Sequence, residues 1–272
     1  MLNESLDFRQ LYIPVQPTVR NSADSVLYAE CLPGKPLLNY IYCYWELKTS
    51  QVLEAPFTYR VVADGCIDIY FDLTDPQESF IMGFCKKYTE FPLENQFHYV
   101  GIRFLPAMFP MLFQINALDL SNRWKSLDLV LPKMAKFLAN QISNTATLAQ
   151  IRLDLDHYFE QFISKQDIER DPRLLAAVSI ILQNSGVVNV EKDLDVGVSA
   201  RQLRRLFEYY IGDSAKTFSQ VIRFQNILRA KPSQQSLRQN KLFFDAGYFD
   251  QAHFIKEFKT FYGVTPSKAF GR

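Results

Sequence analysis

Histidine is nearly missing from this chain of 272 residues, where only His98, His157 and His253 occur. Metal sites on β-barrels need two or three close histidines with a carboxylate, and the β-rich first part of the chain has only His98. No metal is therefore expected. Cysteine is scarce as well: Cys31, Cys43, Cys66 and Cys85 lie in the first third, and no two form a C-x-x-C pair. That spacing sets aside zinc and thioredoxin-like chemistry and leaves reduced thiols in an apolar, cytoplasmic setting. Glycine numbers 10, with no G-x-G-x-x-G, G-x-S-x-G or P-loop arrangement. Asp64 and Asp68 are accounted for by a turn and a strand face rather than as an acid–base pair. The expectation is a protein that is not an enzyme, with no catalytic residue and no cofactor. No apolar run approaches eighteen residues, and Met1–Asp7 has neither the basic nor the apolar part of an export signal. A cytoplasmic protein without a membrane partner is expected.

What is present is globular in composition, 48% apolar and 22% charged, and long enough for two domains. The net charge of +1 hides a division. From Ser199 to Arg272 there are 13 Lys and Arg against 5 Asp and Glu, a net of +8, and the rest of the chain carries −7. A basic tail on an acidic body points to a polyanionic partner for the tail.

Along residues 1–125 the pattern is strand-like and aromatic. Tyr40–Leu47 is β-branched and aromatic rich, and Phe57–Val62 and Cys66–Leu73 flank Ala63-Asp64-Gly65, a hairpin signal. Phe80–Phe84 and Phe97–Leu105 read as further strands, so a small β-barrel-like, cupin-like domain is expected. Its aromatic residues Tyr42, Tyr44, Trp45 and Tyr70, with Arg103 to meet an anionic group, are the candidate lining of a small-molecule pocket; the alternative is that they are core and that Arg103 pairs with a structural carboxylate. Residues 126–170 form a helical connector. Lys133–Ile142 and Leu148–Ile163 are amphipathic, serving as a homodimer contact or as a cover for the barrel. Asp171 and Pro172 then start a new helix as N-cap and first residue.

The remaining residues, 171–272, repeat one pattern twice. Gly197-Val198-Ser199 precedes Ala200–Phe207, a helix with a stripe of Leu203, Leu206 and Phe207 and a polar face of Arg201, Gln202, Arg204 and Arg205. About fifty residues later Gly247 precedes a helix with Phe254, Ile255 and Phe258 on one side and Gln251, His253, Lys256 and Lys259 on the other. Arginine and glutamine reach base edges bidentately and lysine reaches phosphate. Two helix-turn-helix units, about 187–208 and 236–259, held apart by the helix Ala215–Ala230, suit successive major-groove segments of double-stranded DNA.

Ser199–Phe207, Gly212-Asp213-Ser214, Phe218, Arg223-Phe224, Gly247–Lys259 and Gly263-Val264-Thr265-Pro266 resemble, in order and spacing, the DNA-binding domain of the AraC/XylS family of transcription regulators. Val62–Asp68 and Val100–Pro106 are similar to an uncharacterised β-rich domain that precedes it in some relatives. The resemblance implies an α+β architecture, a β-rich sensor followed by an all-α domain, in a sequence-specific DNA-binding transcription regulator that responds to a small-molecule effector. It further implies that Arg201, Arg204, Arg205, Gln251, Ala252 and Lys256 occupy DNA-touching positions. Two departures stand out. Where the family has a small alanine in each supporting helix, the second unit presents Phe243, and Glu191–Asp195 makes the first support short and acidic. The rival reading is an interaction protein that kept the fold with weakened DNA binding.

Overall fold

The computed structural model describes residues 8–17, 25–232 and 247–270. Eight strands follow one another before residue 127: β1 (Val26–Cys31), β2 (Ile41–Thr49), β3 (Phe57–Val61), β4 (Asp68–Asp72), β5 (Ser79–Met82), β6 (Thr89–Leu93), β7 (His98–Phe104) and β8 (Trp124–Ser126). Six form an antiparallel sheet in the order β1-β2-β7-β4-β5-β8, and β3 pairs with β6 alone. The sheet-rich domain is thus cupin-like but not a closed barrel.

The expected hairpin at Ala63-Asp64-Gly65 is a correction. The turn exists, with Gly65 at φ 82° and the Asp64 carboxylate accepting from the Cys66 amide at 3.0 Å. However, it carries the chain from one sheet to the other, because the backbone at the turn is already engaged. Val62 donates to the Gln16 side chain at 3.0 Å and Ala63 donates to the Phe261 carbonyl at 3.2 Å.

Strand alternation gives the main sheet two different faces. Ile69, Phe71, Val100, Ile102 and Phe104 point to a core closed by α2 (Met108–Phe113), α4 (Pro132–Gln141) and α5 (Leu148–Ser164); the single turn α3 (Leu127–Val130) leads into α4. Ile151, Leu155 and Phe159 of α5 are fully buried there, so the apolar face of the connector covers the sheet. Cys43, Trp45, Leu47, Tyr59 and Phe97 pack on the opposite face, beneath β3 and β6.

The helical domain comprises α6 (Pro172–Gln183), α7 (Ala200–Tyr210), α8 (Ala215–Ala230), α9 (Gln251–Tyr262) and the short α10 (Pro266–Ala269). Asp171 caps α6 through the amides of Arg173 and Leu174, with Pro172 at the first helical position. Its core does not stop at the domain boundary. Val62, Ala63, Cys66, Phe84, Leu105 and Met111 of the β domain share one buried cluster with Phe207, Phe218, Val221, Phe224 and Phe258.

The N-terminal segment, which begins with α1 (Phe8–Leu11), is stitched into the same seam. The Gln225 side chain accepts from the Val15 amide at 2.7 Å and donates to the Ala63 carbonyl at 2.7 Å. Ser121 donates to the Gly212 carbonyl at 2.5 Å, and Tyr88 to the Thr260 carbonyl at 3.2 Å. The interdomain seam is therefore hydrogen-bonded as well as apolar.

Candidate nucleic-acid interface

Both expected reading helices form, and each is capped by its own sequence. Ser199 and Gln202 make a capping box on α7: Ser199 Oγ accepts from the Gln202 amide at 3.3 Å and the Ser199 amide donates to Gln202 Oε1 at 3.0 Å. Asp250 caps α9 by accepting from the His253 amide at 2.7 Å, and Gly263 closes it at φ 95°. Leu203 and Phe207 of α7, and Phe254, Phe258, Phe261 and Tyr262 of α9, turn into the core. That leaves Arg201, Gln202, Arg204 and Arg205 exposed on the first helix and Gln251, Ala252, His253, Lys256 and Lys259 exposed on the second.

Their availability differs. Arg201 and Arg205 have no ion-pair partner among the described residues, whereas Arg204 Nε contacts Glu208 Oε1 at 2.8 Å one turn away. So exposed a pair is weak and screened by solvent, which leaves the Arg204 guanidinium available to another partner. The Gln202 amide oxygen is spent on the cap, which leaves its amide nitrogen as the free polar group.

The first support is where tertiary structure departs from helix-turn-helix expectation. Residues 184–199 hold hydrogen-bonded turns and no helix. Asp193 folds back to accept from the Asn189 amide at 2.7 Å, and Asn189 accepts from Glu191 at 3.1 Å. The side chains thus compete with helical bonding, and Leu194 is the one deeply buried apolar side chain of this stretch. Two of its three acids, Asp193 and Asp195, close turns through their carboxylates. Residues 236–246 of the second unit, including Phe243, lie outside the described residues.

A feature absent from the sequence reading organises the second reader. Glu257 is buried on the inner face of α9 and gathers four side chains. It accepts from Gln220 at 2.9 Å, from Arg223 Nη2 at 3.0 and 3.1 Å, and from the Tyr248 hydroxyl at 2.6 Å, with His253 Nε2 at 3.7 Å. Arg223 also lies 4.2 Å over the Tyr248 ring. This polar knot ties α9 to α8, the helix between the readers. A lone glutamate inside an apolar stripe was the available signal.

The pocket residues divide by strand face. Trp45, Tyr70 and Arg103 line a cavity of about 300 Å3 between the main sheet and the β3–β6 pair, together with Tyr59, Asp68, Phe91, Tyr99 and Trp124. Tyr44 does not: it is next to Trp45 in the strand, so its side chain passes through the opposite face, where its hydroxyl donates to Asp156 at 2.9 Å. Tyr42 sits at a register shift between Ile41 and Cys43 and turns to the seam, with its ring edge-on to Tyr12 at 6.2 Å.

Arg103 is answered from within the protein. Asp68, directly across the β4–β7 ladder, holds it at 2.9 Å and Asp64 approaches at 3.6 Å. Burial pushes the Asp68 carboxyl up to about 6 against the pull of Arg103. Trp45 donates to Asp68 at 3.0 Å and lies flat over Gly101, whose missing side chain makes room for the indole.

Comparison with known proteins follows this division. Residues 195–272 match a helix-turn-helix domain family and residues 29–125 match a domain of unknown function. An uncharacterized helix-turn-helix-type transcriptional regulator of Haemophilus influenzae is 29% identical over 182 residues, 64% of this chain and 60% of the relative. The matched part thus spans less than two thirds of that protein. ToxT of Vibrio cholerae superposes over 92% of this chain and 98% of its own, at 12% identity and a TM-score of 0.44.

Proposed function

From a chain that belongs, through residues 195–272, to the AraC-type helix-turn-helix proteins, we propose a transcription regulator that binds double-stranded DNA sequence-specifically and answers to a small molecule in its β domain. The observation that carries this is the pair of capped helices, α7 and α9, whose outward faces bear Arg201, Arg204, Arg205, Lys256 and Lys259 while α8 holds both from behind. A buried connecting helix fixes their relative placement, which is what reading successive major-groove segments requires.

Communication with the β domain has a physical route. Arg103 lines the cavity and approaches Asp64. Asp64 accepts from Gln16 at 2.8 Å, the neighbouring Val15 bonds Gln225 of α8, and Gly65 lies against Phe218. A ligand that favours one arrangement of this seam shifts the population competent for DNA.

Selection from a random duplex pool, followed by titration at several salt concentrations, tests the reading. A recovered motif bound above random DNA is the expected result, and equal affinity for all sequences sinks it. Arg201→Ala is expected to cost about 1–3 kcal/mol at the selected site and less on random DNA. Lys259→Ala is expected to weaken both alike and to lower the salt slope by about 1.

A further inference from the structure

Two residues lining the β-domain cavity keep donors that no group among the described residues satisfies. Arg103 is 3% exposed; its Nε and Nη2 are spent on Asp68, while Nη1 has no hydrogen-bond partner among the described residues. Tyr59 is 7% exposed, and its hydroxyl takes part in no hydrogen bond among the described residues. Burial raises that hydroxyl's pKa and keeps it in the donating form. Arg103 Nη1 is a buried donor without a partner, which costs free energy, whereas the Tyr59 hydroxyl opens to the cavity, where a bound acceptor takes the place of water.

Charge narrows what the acceptor is. Two carboxylates, Asp68 and Asp64, already face the one guanidinium of Arg103, and Glu90 at the rim is paired with Arg60 at 2.6 Å. An anionic ligand adds to a surplus of negative charge in a low-dielectric site. A cationic one leaves both donors unsatisfied and faces Arg103. A neutral carbonyl or amide oxygen does neither.

The walls set the rest of the molecule. Trp45 and Tyr70 present rings 29° from parallel with centroids 6.4 Å apart, and Phe91 and Trp124 close the cavity. Flat aromatic faces favour a flat partner, and about 300 Å3 is at the small end of ligand sites. The geometry points to one ligand class for this cavity: a neutral, planar ring compound of one or two rings, with a carbonyl-type oxygen received by the Tyr59 hydroxyl, on a wall where Arg103 is already matched by carboxylates. This rests on the reading of the β domain as a sensor.

Trp45 and Trp124 are the chain's two tryptophans, and both line the cavity, so intrinsic fluorescence of the full chain reports occupancy directly. Benzamide, benzoate and benzylamine share a ring and a size and differ in charge. Titrated by fluorescence and calorimetry, benzamide is expected to bind at least about tenfold more tightly than either ion, a gap of about 1.4 kcal/mol. Tyr59→Phe removes one donor without altering shape and is expected to weaken benzamide roughly 2- to 12-fold. Gly101→Ala would set a Cβ 2.1 Å from the Trp45 ring, driving the indole into the cavity; loss of binding with a shifted emission is expected. Benzoate binding as tightly as benzamide overturns the assignment. So does silence from all three probes, or unchanged benzamide affinity in Tyr59→Phe. If DNA selection succeeds while the probes fail, the ligand class falls alone; if the probes bind while selection fails, the regulator reading falls and the cavity assignment stands.

Discussion

Glu257→Ala is expected to destabilise the helical domain by about 3–5 kcal/mol, measured by chemical denaturation of the full chain. Glu257 is 7% exposed and its ion-pair partner Arg223 only 13% in its side chain. Removing the carboxylate strands a largely buried guanidinium and leaves Gln220 and Tyr248 without their acceptor. Breaking one partner of a buried pair costs about that much, because the remaining charge stays desolvated. Arg223 already carries an unsatisfied Nε, so it has little slack with which to find a substitute. Glu257→Gln, which keeps an acceptor and the volume, is expected to lose much less. The same variant reads function: with α9 no longer tied to α8, affinity for a selected DNA site should fall even though no outward residue has changed. If Glu257→Ala retains both wild-type stability and DNA affinity, the knot is decorative.

Gln225→Leu is the second large expectation, and it tests the seam between the domains. The substitution keeps size and burial and removes only hydrogen bonds. The Val15 amide and the Ala63 carbonyl, bonded at 2.7 Å each, would be left in an apolar cluster. The buried Ala63 carbonyl at about 1–3 kcal/mol, with a smaller share from the half-buried Val15 amide, gives a loss of about 2–4 kcal/mol. The distribution of that loss is informative. Native-state hydrogen exchange is expected to show faster opening at Val15 and Ala63 than in the cavity-facing strands β4 and β7, because the break is local. Uniform protection across both domains would mean that Gln225 is not the tie between them.

Much of this protein follows from its residues without the fold. Asp171-Pro172 had to begin a helix, Ser199 with Gln202 three residues on had to cap one, and Gly263 had to end one, since each signal acts through bonds within its own turn. The two basic helical faces were legible for the same reason, and so were the charge division and strands β2, β3, β4, β5 and β7, but not the edge strands β1 and β8 or the β6 partner of β3. Alternation alone, applied strictly, would have removed Tyr44 from the pocket beside Trp45.

Other properties had no local cause. That β3 pairs with β6 and not across the Asp64 turn depends on Gln16 and Phe261, partners 46 and 198 positions from the residues they hold. That Arg103 is balanced by Asp68 follows from the register of β4 against β7, and that Gly101 frees space for an indole from the register of β2 against β7. The turns of residues 184–199 won over the expected supporting helix because the Asp193 and Asn189 side chains took the backbone amides of Asn189 and Glu191. Periodicity and capping act over one turn of chain, whereas sheet order, ion pairing and the buried seam are settled by which distant surfaces exclude water from one another.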